Sequence, residues 1–576
     1  MLFNLCGFFF FFWIEDLKHF GKGDLKKMYE WLKLKRIGFF GGFPSFVLDG
    51  MVDPVNYGNP EHDIDQYEAK IAREVESTPS NTRMAMELMK KKEEEEVGEE
   101  PVSPTGQYFN SSALSVSVLS VLEFQVPIDD SQTVSLLNDV FLPINPRFSS
   151  VMVLDKNGVK QWKRVKVNLK DHINIPIFPP PTGDSGELYD EQFDNYLTKI
   201  AVEELPQSRP LWEIHLIKYP TRNAAGHVVF KVHHAMGDGF SMMGALLSCL
   251  QRADDPSLPL TFPKVRMNVN RGKEEDEKKN KEGVMKSVPR ILTGFCNTIL
   301  DFGWSLLKSS FVEDDRSPIR SGDDGVEFRP VTITTITFSL DQIKQIKSNL
   351  QVTVNDVITG IIFLGTRLYM KETGHENELN KSNSKCTALV LLNTRNVSGY
   401  TSVEEMIKPN ITDTKWGNQF GFLHVSVPEL GPSDSSNPIN FVFKAQQVIL
   451  RKRNSAAVFL TGKLLDTSRK YRGPEATARY IHSTLKNSSM TVSNMIGPIE
   501  QMALANDPCS GIYFMVVGVP QSLTITMVSY MGNLRVAVGT EKGYIDSKKY
   551  KSCIQNAFHM MFKAAVKSAS QPPNYI

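Results

Sequence analysis

The stretch Val228-Val-Phe-Lys-Val-His-His-Ala-Met-Gly-Asp-Gly-Phe240 constrains the fold more than any other part of the chain. Val228, Phe230 and Val232 alternate with other residues, which predicts a strand with one buried face running up to His233-His234. Gly237 and Gly239 mark a tight turn, and Phe240 to Leu250 reads as an apolar helix. Any fold must therefore place two imidazoles at the end of a strand, with Asp238 four residues beyond His234. An unperturbed imidazole titrates near neutrality, which suits it to take a proton from a hydroxyl. The alternatives are a metal site or a satisfied core histidine. No second His, Cys or Glu cluster stands at ligand spacing, which weighs against metal. Between a base and a core histidine, the stretch alone leaves the choice open.

A chain of 576 residues is too long for one ordinary core, so two or more domains are expected. Its 65 basic and 64 acidic residues give a formal net charge of +1, which disfavours nucleic acid as a partner. The six cysteines are scattered and form no CxxC pair, arguing against a disulfide framework or a zinc site and for a reducing compartment. No apolar run reaches the length of a spanning helix. The apolar start, Leu2 to Ile14, has no basic residue before it and no small-residue cleavage site after it. It reads as a terminal extension rather than a signal peptide.

Two charge-rich stretches divide the chain. Lys90 to Glu100 closes an N-terminal extension of residues 1–100, expected to be poorly ordered. Arg271 to Gly283 lies in a segment, 266–325, that separates a first half (101–265) from a second (326–576). In the first half, strands are expected at 119–126, 150–155, 162–168 and 210–217, the last pairing with the histidine strand, and a helix at 189–204. In the separating segment, residues 291–311 have helical spacing. Leu292, Phe295, Ile299, Phe302 and Leu306 fall on one face, and Thr293, Asn297, Asp301, Ser305 and Lys308 on the other. The apolar face is read as lying on a membrane surface or on the protein's own core. The second half opens with a β-branched strand at 332–338 and helices at 339–350 and from Thr353. It closes with strands at 523–530 and 534–539 and a helix at 550–565. Strands and helices mix in both halves, so the fold class is α/β (α+β), two layered units side by side.

His233-His-Ala-Met-Gly-Asp-Gly239 matches HHxxxDG, and by it the chain resembles acyltransferases related to chloramphenicol acetyltransferase. Ser103-Pro-Thr-Gly106, Asn145-Pro-Arg-Phe-Ser149, Pro210-Leu-Trp212, Asn355-Asp356, Trp416-Gly-Asn418, Ser493-Asn494 and Gly497-Pro498 occur in the order of one branch. That branch is the wax ester synthase/diacylglycerol acyltransferases in their plant form, and the resemblance covers roughly residues 101–570. It implies two chloramphenicol-acetyltransferase-like subdomains with a channel between them. It also implies acyl-CoA as a substrate, a fatty alcohol or diacylglycerol as acceptor, and no cofactor or metal. The hydrophobic substrates imply a membrane surface as partner, at the endoplasmic reticulum with the plasma membrane as a second location.

By this resemblance His234 is the general base. Asp238 anchors its loop through a salt bridge, with Arg395 one candidate partner. His233 and Gly239 support the loop. Asn418 is either a donor to the tetrahedral oxyanion or a turn asparagine. Asn355 and Asp356 either line the site or cap a helix. His215 and His424 are read as core or surface groups. Asp301-Phe-Gly-Trp-Ser305 resembles the DFGWG box of plant acyltransferases acting on phenolics and alkaloids. That box lies nearer the C-terminus and ends in glycine, so the match is read as coincidence. Competing readings are a soluble acyltransferase for a specialised-metabolite alcohol and a non-catalytic lipid-binding protein.

Overall fold

The computed structural model describes residues 100–263 apart from 157 and 182–187, then 298–374, 384–394, 403, 406 and 416–569 apart from 454 and 456. The N-terminal extension, the charged break at 271–283 and Arg395 lie outside the described residues.

The first half supplies helix α1 (Pro104–Phe109), strand β1 (Ser117–Phe124), helix α2 (Asp190–Val202), strands β2 (Trp212–Ile217) and β3 (Gly226–His233), and helix α3 (Gly239–Ser248). Helix α4 covers 298–310. The second half begins with β4 (Val331–Ser339), α5 (Leu340–Leu350), α6 (Val354–Thr373), β5 (Thr387–Asn393) and β6 (Phe420–Ser426). It continues with α7 (Asn440–Arg453), α8 (Ala457–Lys486), β7 (Met490–Ile496), β8 (Asp507–Val517), β9 (Leu523–Tyr530), β10 (Asn533–Glu541) and α9 (Ser547–Ala569). The helix starts follow from their first residues. Ser339 accepts from Gln342 N at the start of α5, and Thr353 and Asp356 form a reciprocal capping box at the start of α6.

Two large sheets carry the fold, as the α/β expectation requires. The first runs Gln251–Arg252, Met502–Leu504, β8, β1, β3, β2 and Ile173–Asn174. β2 and β3 pair antiparallel, Trp212 opposite Val232, as the sequence suggests. The second sheet runs β4, β10, β9, β7, β5, β6, with β7 parallel to both its neighbours. Residues 502–517 belong by sequence to the second half yet lie in the first sheet, where β8 pairs antiparallel with β1. The halves are therefore joined by a shared sheet as well as by the polypeptide link.

β3 departs from the expectation of one buried face. Val228 and Val232 pack with Trp212 and Leu122, while Val229 on the opposite face packs with Phe193 and Leu197 of α2. With both faces covered, even Lys231 is buried, and its Nζ donates to the carbonyl of Glu203. A long flexible stem lets the ammonium reach a carbonyl at the sheet's margin, which a shorter cation would not.

α4 departs further. The side chains expected to face water, Asp301, Ser305 and Lys308, are 4%, 6% and 2% exposed. Asp301 pairs with Lys452 of α7 at 2.7 Å, Ser305 lies 3.2 Å from His424 Nδ1 on β6, and Lys308 pairs with Asp314. Ile299, from the expected apolar face, is exposed, as are Leu300, Trp304 and Phe311. The helix packs with its polar stripe inward, because partners for that stripe already wait on α7, β6 and the 314 loop. No helix among the described residues is long and apolar enough to cross a membrane.

Candidate active site

β3 ends at His233, and the chain turns through Ala235 to Gly237 into α3. His234 N donates to the carbonyl of Val116, which ties the turn to the edge of β1. Gly239 is needed for close approach: a Cβ there would stand 2.9 Å from Met495 Sδ, on a strand of the other sheet. Asp238 is the N-cap of α3, its Oδ1 accepting from Ser241 N at 3.1 Å. Its Oδ2 accepts from Gln419 N at 2.9 Å, across the seam between the halves. Asp238 thus accepts from backbone N–H groups on both sides of the seam; Arg395, the partner suggested for a salt bridge, lies outside the described residues.

The segment Trp416-Gly-Asn-Gln419 is the other wall of the seam. Trp416 Nε1 donates to the carbonyl of Met236 at 2.9 Å, and Gly417 exchanges hydrogen bonds with Ser241. Gly417 adopts φ 128°, a region that L side chains rarely enter, so glycine is required between the tryptophan and the asparagine. Arg147, 4% exposed, also donates to the Met236 carbonyl at 3.4 Å. That carbonyl therefore gathers two donors, and the loop is fixed at its apex.

His234 itself is 6% exposed. Its Nδ1 lies 2.9 Å from Asn418 Oδ1, while Asn418 Nδ2 donates to the His234 carbonyl at 2.8 Å. The second bond fixes which way the amide points, because the reversed amide would set two carbonyl oxygens against each other. An amide oxygen only accepts, so Nδ1 carries the proton and Nε2 keeps its lone pair. Burial pushes the imidazole below its usual pKa, against the opposing pull of Asp238 and Asn418. The ring packs against Phe109 of α1 at 4.7 Å and Phe420 of β6 at 5.5 Å between centroids, and the two phenyl rings stack on each other at 5.8 Å. The result is a neutral, aromatic-walled imidazole in one tautomer.

His233 has a different position. Its Nδ1 accepts from Ala235 N at 3.1 Å, which leaves Nε2 as the protonated nitrogen, 3.2 Å from Ser115 Oγ. Burial lowers its pKa to about 3. Both nitrogens are engaged inside the loop, so it supports rather than reacts.

Asn418, read as an oxyanion donor or a turn asparagine, spends its amide oxygen and one Nδ2 hydrogen on His234 and so orients the imidazole. Asn355 and Asp356 sit in the first turn of α6. Asn355 accepts from Asn494 Nδ2 at 2.9 Å, and Asp356 serves the Thr353 capping box and accepts from Gln446 Nε2 at 3.2 Å. They fasten the start of α6 to β7 and α7. His215 and His424 are buried and pushed down to about 3 and about 4 by desolvation, core groups as expected. Among the described residues no group of His, Cys, Asp or Glu is arranged to hold a metal. Sequence reasoning missed Phe109 and Phe420, which only tertiary packing brings to the ring. It quoted Arg147 within Asn145 to Ser149 without giving it a role.

Two sheet-centred halves with the HHxxxDG turn clamped at their seam define the class of chloramphenicol-acetyltransferase-like acyltransferases. The wax ester synthase/diacylglycerol acyltransferase catalytic domain model matches residues 141–358, and the WS/DGAT C-terminal domain model matches 416–562. The chain belongs to the wax ester synthase/diacylglycerol acyltransferase family. It is 28% identical over 462 residues to wax ester synthase/diacylglycerol acyltransferase 4 of Arabidopsis thaliana, covering 77% of this chain and 86% of that protein. Protein 5 of the same series is 26% identical over 498 residues, with 82% and 94% covered. The solved wax ester synthase/diacylglycerol acyltransferase of Marinobacter aquaeolei VT8 superposes with a TM-score of 0.50 at 14% identity, covering 81% of this chain and 100% of that one.

Proposed function

We propose that this acyltransferase uses acyl-CoA to esterify long-chain fatty alcohols, diacylglycerol or both, with His234 Nε2 as general base. The observation that carries the proposal is the Asn418 clamp, which holds Nδ1 protonated and leaves Nε2 able to accept. The acceptor's hydroxyl gives its proton to Nε2 as its oxygen attacks the thioester carbonyl. The tetrahedral intermediate then collapses, the carbon–sulfur bond breaks, and the imidazolium returns the proton to the departing sulfur. Ester and free CoA thiol are the products, and no acyl-enzyme intervenes. A base pKa below that of free imidazole keeps the acceptor form populated at neutral pH.

Both acceptor types partition into lipid, and we place the reaction at a membrane surface of the endoplasmic reticulum.

The test is purified protein given palmitoyl-CoA with hexadecanol or with diacylglycerol, both products being measured. His234→Ala is expected to lower kcat by about 10²- to 10⁴-fold with the melting temperature near that of the parent. Ester formation at the parent rate by His234→Ala would sink the mechanism.

A further inference from the structure

α4 is built the wrong way round for a helix that ends at its own surface. Its polar stripe is consumed inside, while Leu300, Trp304 and Phe311, spaced four and seven apart along one stripe, are 64%, 46% and 46% exposed. Ile299 beside them is 53% exposed, and a Cβ added at Gly303 would meet nothing. A soluble helix puts its apolar side inward, and a contiguous apolar patch left outward marks an interaction surface.

The charge around the patch selects its partner. α4 is fastened to the end of α7 through Asp301, which holds Lys452 at 2.7 Å and Arg451 at 3.8 Å. Leu450 there is 48% exposed, and the Arg451 side chain 60%. From Asn440 to Arg472, α7 and the first part of α8 carry eight lysines and arginines against one acid, Asp466, in a chain whose net charge is only +1. Lys463, Lys470 and Arg472 are exposed on α8, and so are Phe459 and Tyr471. A second copy of this face would meet like charge. An anionic surface with an apolar interior fits both features, since aliphatic side chains and Trp enter the acyl boundary while Lys and Arg meet the headgroups.

We infer that α4, with the basic ends of α7 and α8, is the face by which the protein docks on an anionic lipid surface. The same elements border the catalytic seam. Val458 of α8 packs at Gly421 of β6, the neighbour of Phe420, whose ring lies 5.5 Å from that of His234. Lipid acceptors therefore reach the seam from the side the patch covers. The docking stands on burial and charge, and only this delivery role rests on the acyltransfer reading.

The experiment is co-sedimentation of the full chain with phosphatidylcholine vesicles, with and without phosphatidylserine. Two surface variants are compared with the parent: Leu300→Glu with Trp304→Glu, and Lys463→Glu with Lys470→Glu and Arg472→Glu. The parent should bind the anionic vesicles several-fold more strongly, and each variant should lose about ten-fold in partitioning. Brominated lipid should quench the parent's fluorescence, and Trp304→Phe should lose much of that quenching. Activity on detergent-dispersed substrate should stay unchanged while activity on vesicle-borne acceptor falls. Parent-like sedimentation of both variants overturns the proposal, as does quenching undiminished in Trp304→Phe. A parent dimer that Leu300→Glu with Trp304→Glu dissolves also overturns it, by assigning the face to a second copy. Vesicle binding without any ester formation by the parent would instead remove the acyltransfer reading and leave the docking intact.

Discussion

The histidine turn and α4 handle polar groups in opposite ways. At the turn, the polar atoms that fix the loop are satisfied from both sides of the seam: Asp238 by Ser241 and Gln419, His234 by Asn418, the Met236 carbonyl by Trp416 and Arg147. At α4 Asp301, Ser305 and Lys308 also find partners inward, beside the buried Leu306, but Ile299, Leu300 and Trp304 are left outside. The first arrangement holds one nitrogen in one protonation state. The second keeps the helix in place by charge and reserves its apolar stripe for something else. Substitutions should therefore divide cleanly: those at the turn change chemistry, those on the inner side of α4 change stability, and those on its outer side change lipid binding and leave stability nearly untouched.

The largest stability effect is expected inside α4. Lys308 and Asp314 are both almost fully buried, and Asp314 also accepts from Thr387 N at 2.7 Å and Ser489 Oγ at 2.6 Å. Lys308→Met leaves a buried carboxylate without its cation and should cost about 3 kcal/mol or more, measured by urea denaturation. Activity per folded molecule should be retained, which separates this helix from the catalytic turn.

Asn418→Ala should break the turn without breaking the fold. Losing the amide frees His234 to adopt either tautomer, and kcat should fall by about 10²-fold, or about 2.7 kcal/mol in transition-state stabilisation. The sign of the pH effect distinguishes positioning from mere structure. The Asn418 bond raises the pKa of His234 against the stronger lowering by burial, so the parent's acid limb in kcat/KM should lie below 6.5. Without Asn418 it should move lower still. A parent-like acid limb with parent-like kcat would reduce Asn418 to a turn residue.

Buried imidazoles away from the reaction supply the next effect. His233 and His215 are lowered to about 3, and His227 and His424 to about 4, by burial. The folded state binds fewer protons than the unfolded one between these values and 6.5. Stability is complete above 6.5 and falls with pH down to the folded pKa values, below which the loss is saturated. The slope should be on the order of 1 kcal/mol per imidazole per pH unit. His424→Gln, beside Ser305 of α4, should flatten this slope in an acid titration followed by circular dichroism.

The strand, the turn, the capped helices and the motif order were legible because each depends on local pattern: period-two alternation, a Gly-x-Gly turn, Thr353 three residues before Asp356. What escaped depends on partners distant in sequence. β8 joins the first sheet from 385 to 400 residues beyond its partners on β1, since Phe124 pairs with Cys509 at one end and Ser117 with Val517 at the other; no local pattern announces that pairing. α7 and α8, which brace α4 and the aromatic wall, carry no motif. Asn418 reads as an oxyanion donor or a turn asparagine because an amide in a Trp-Gly-Asn turn suits either role. Its two bonds to one histidine add an orienting role that only the tertiary fold reveals. The sequence leaves the orientation of α4 open between a membrane surface and the core for the complementary reason: periodicity identifies two faces and does not say which one faces in when Lys452, His424 and Asp314 wait beneath.

The smallest effect sharpens the comparison most. Leu300→Ser on the outer stripe removes an apolar side chain that is 64% exposed and held by little, so the cost should stay within about 0.5 kcal/mol. If α4's outer stripe instead packed on the described core, deleting the leucine would cost about 2 kcal/mol or more. The two values are separable in one pair of urea curves. A loss near the larger one would return α4 to the ordinary pattern of a core helix, and with it the contrast drawn with the histidine turn.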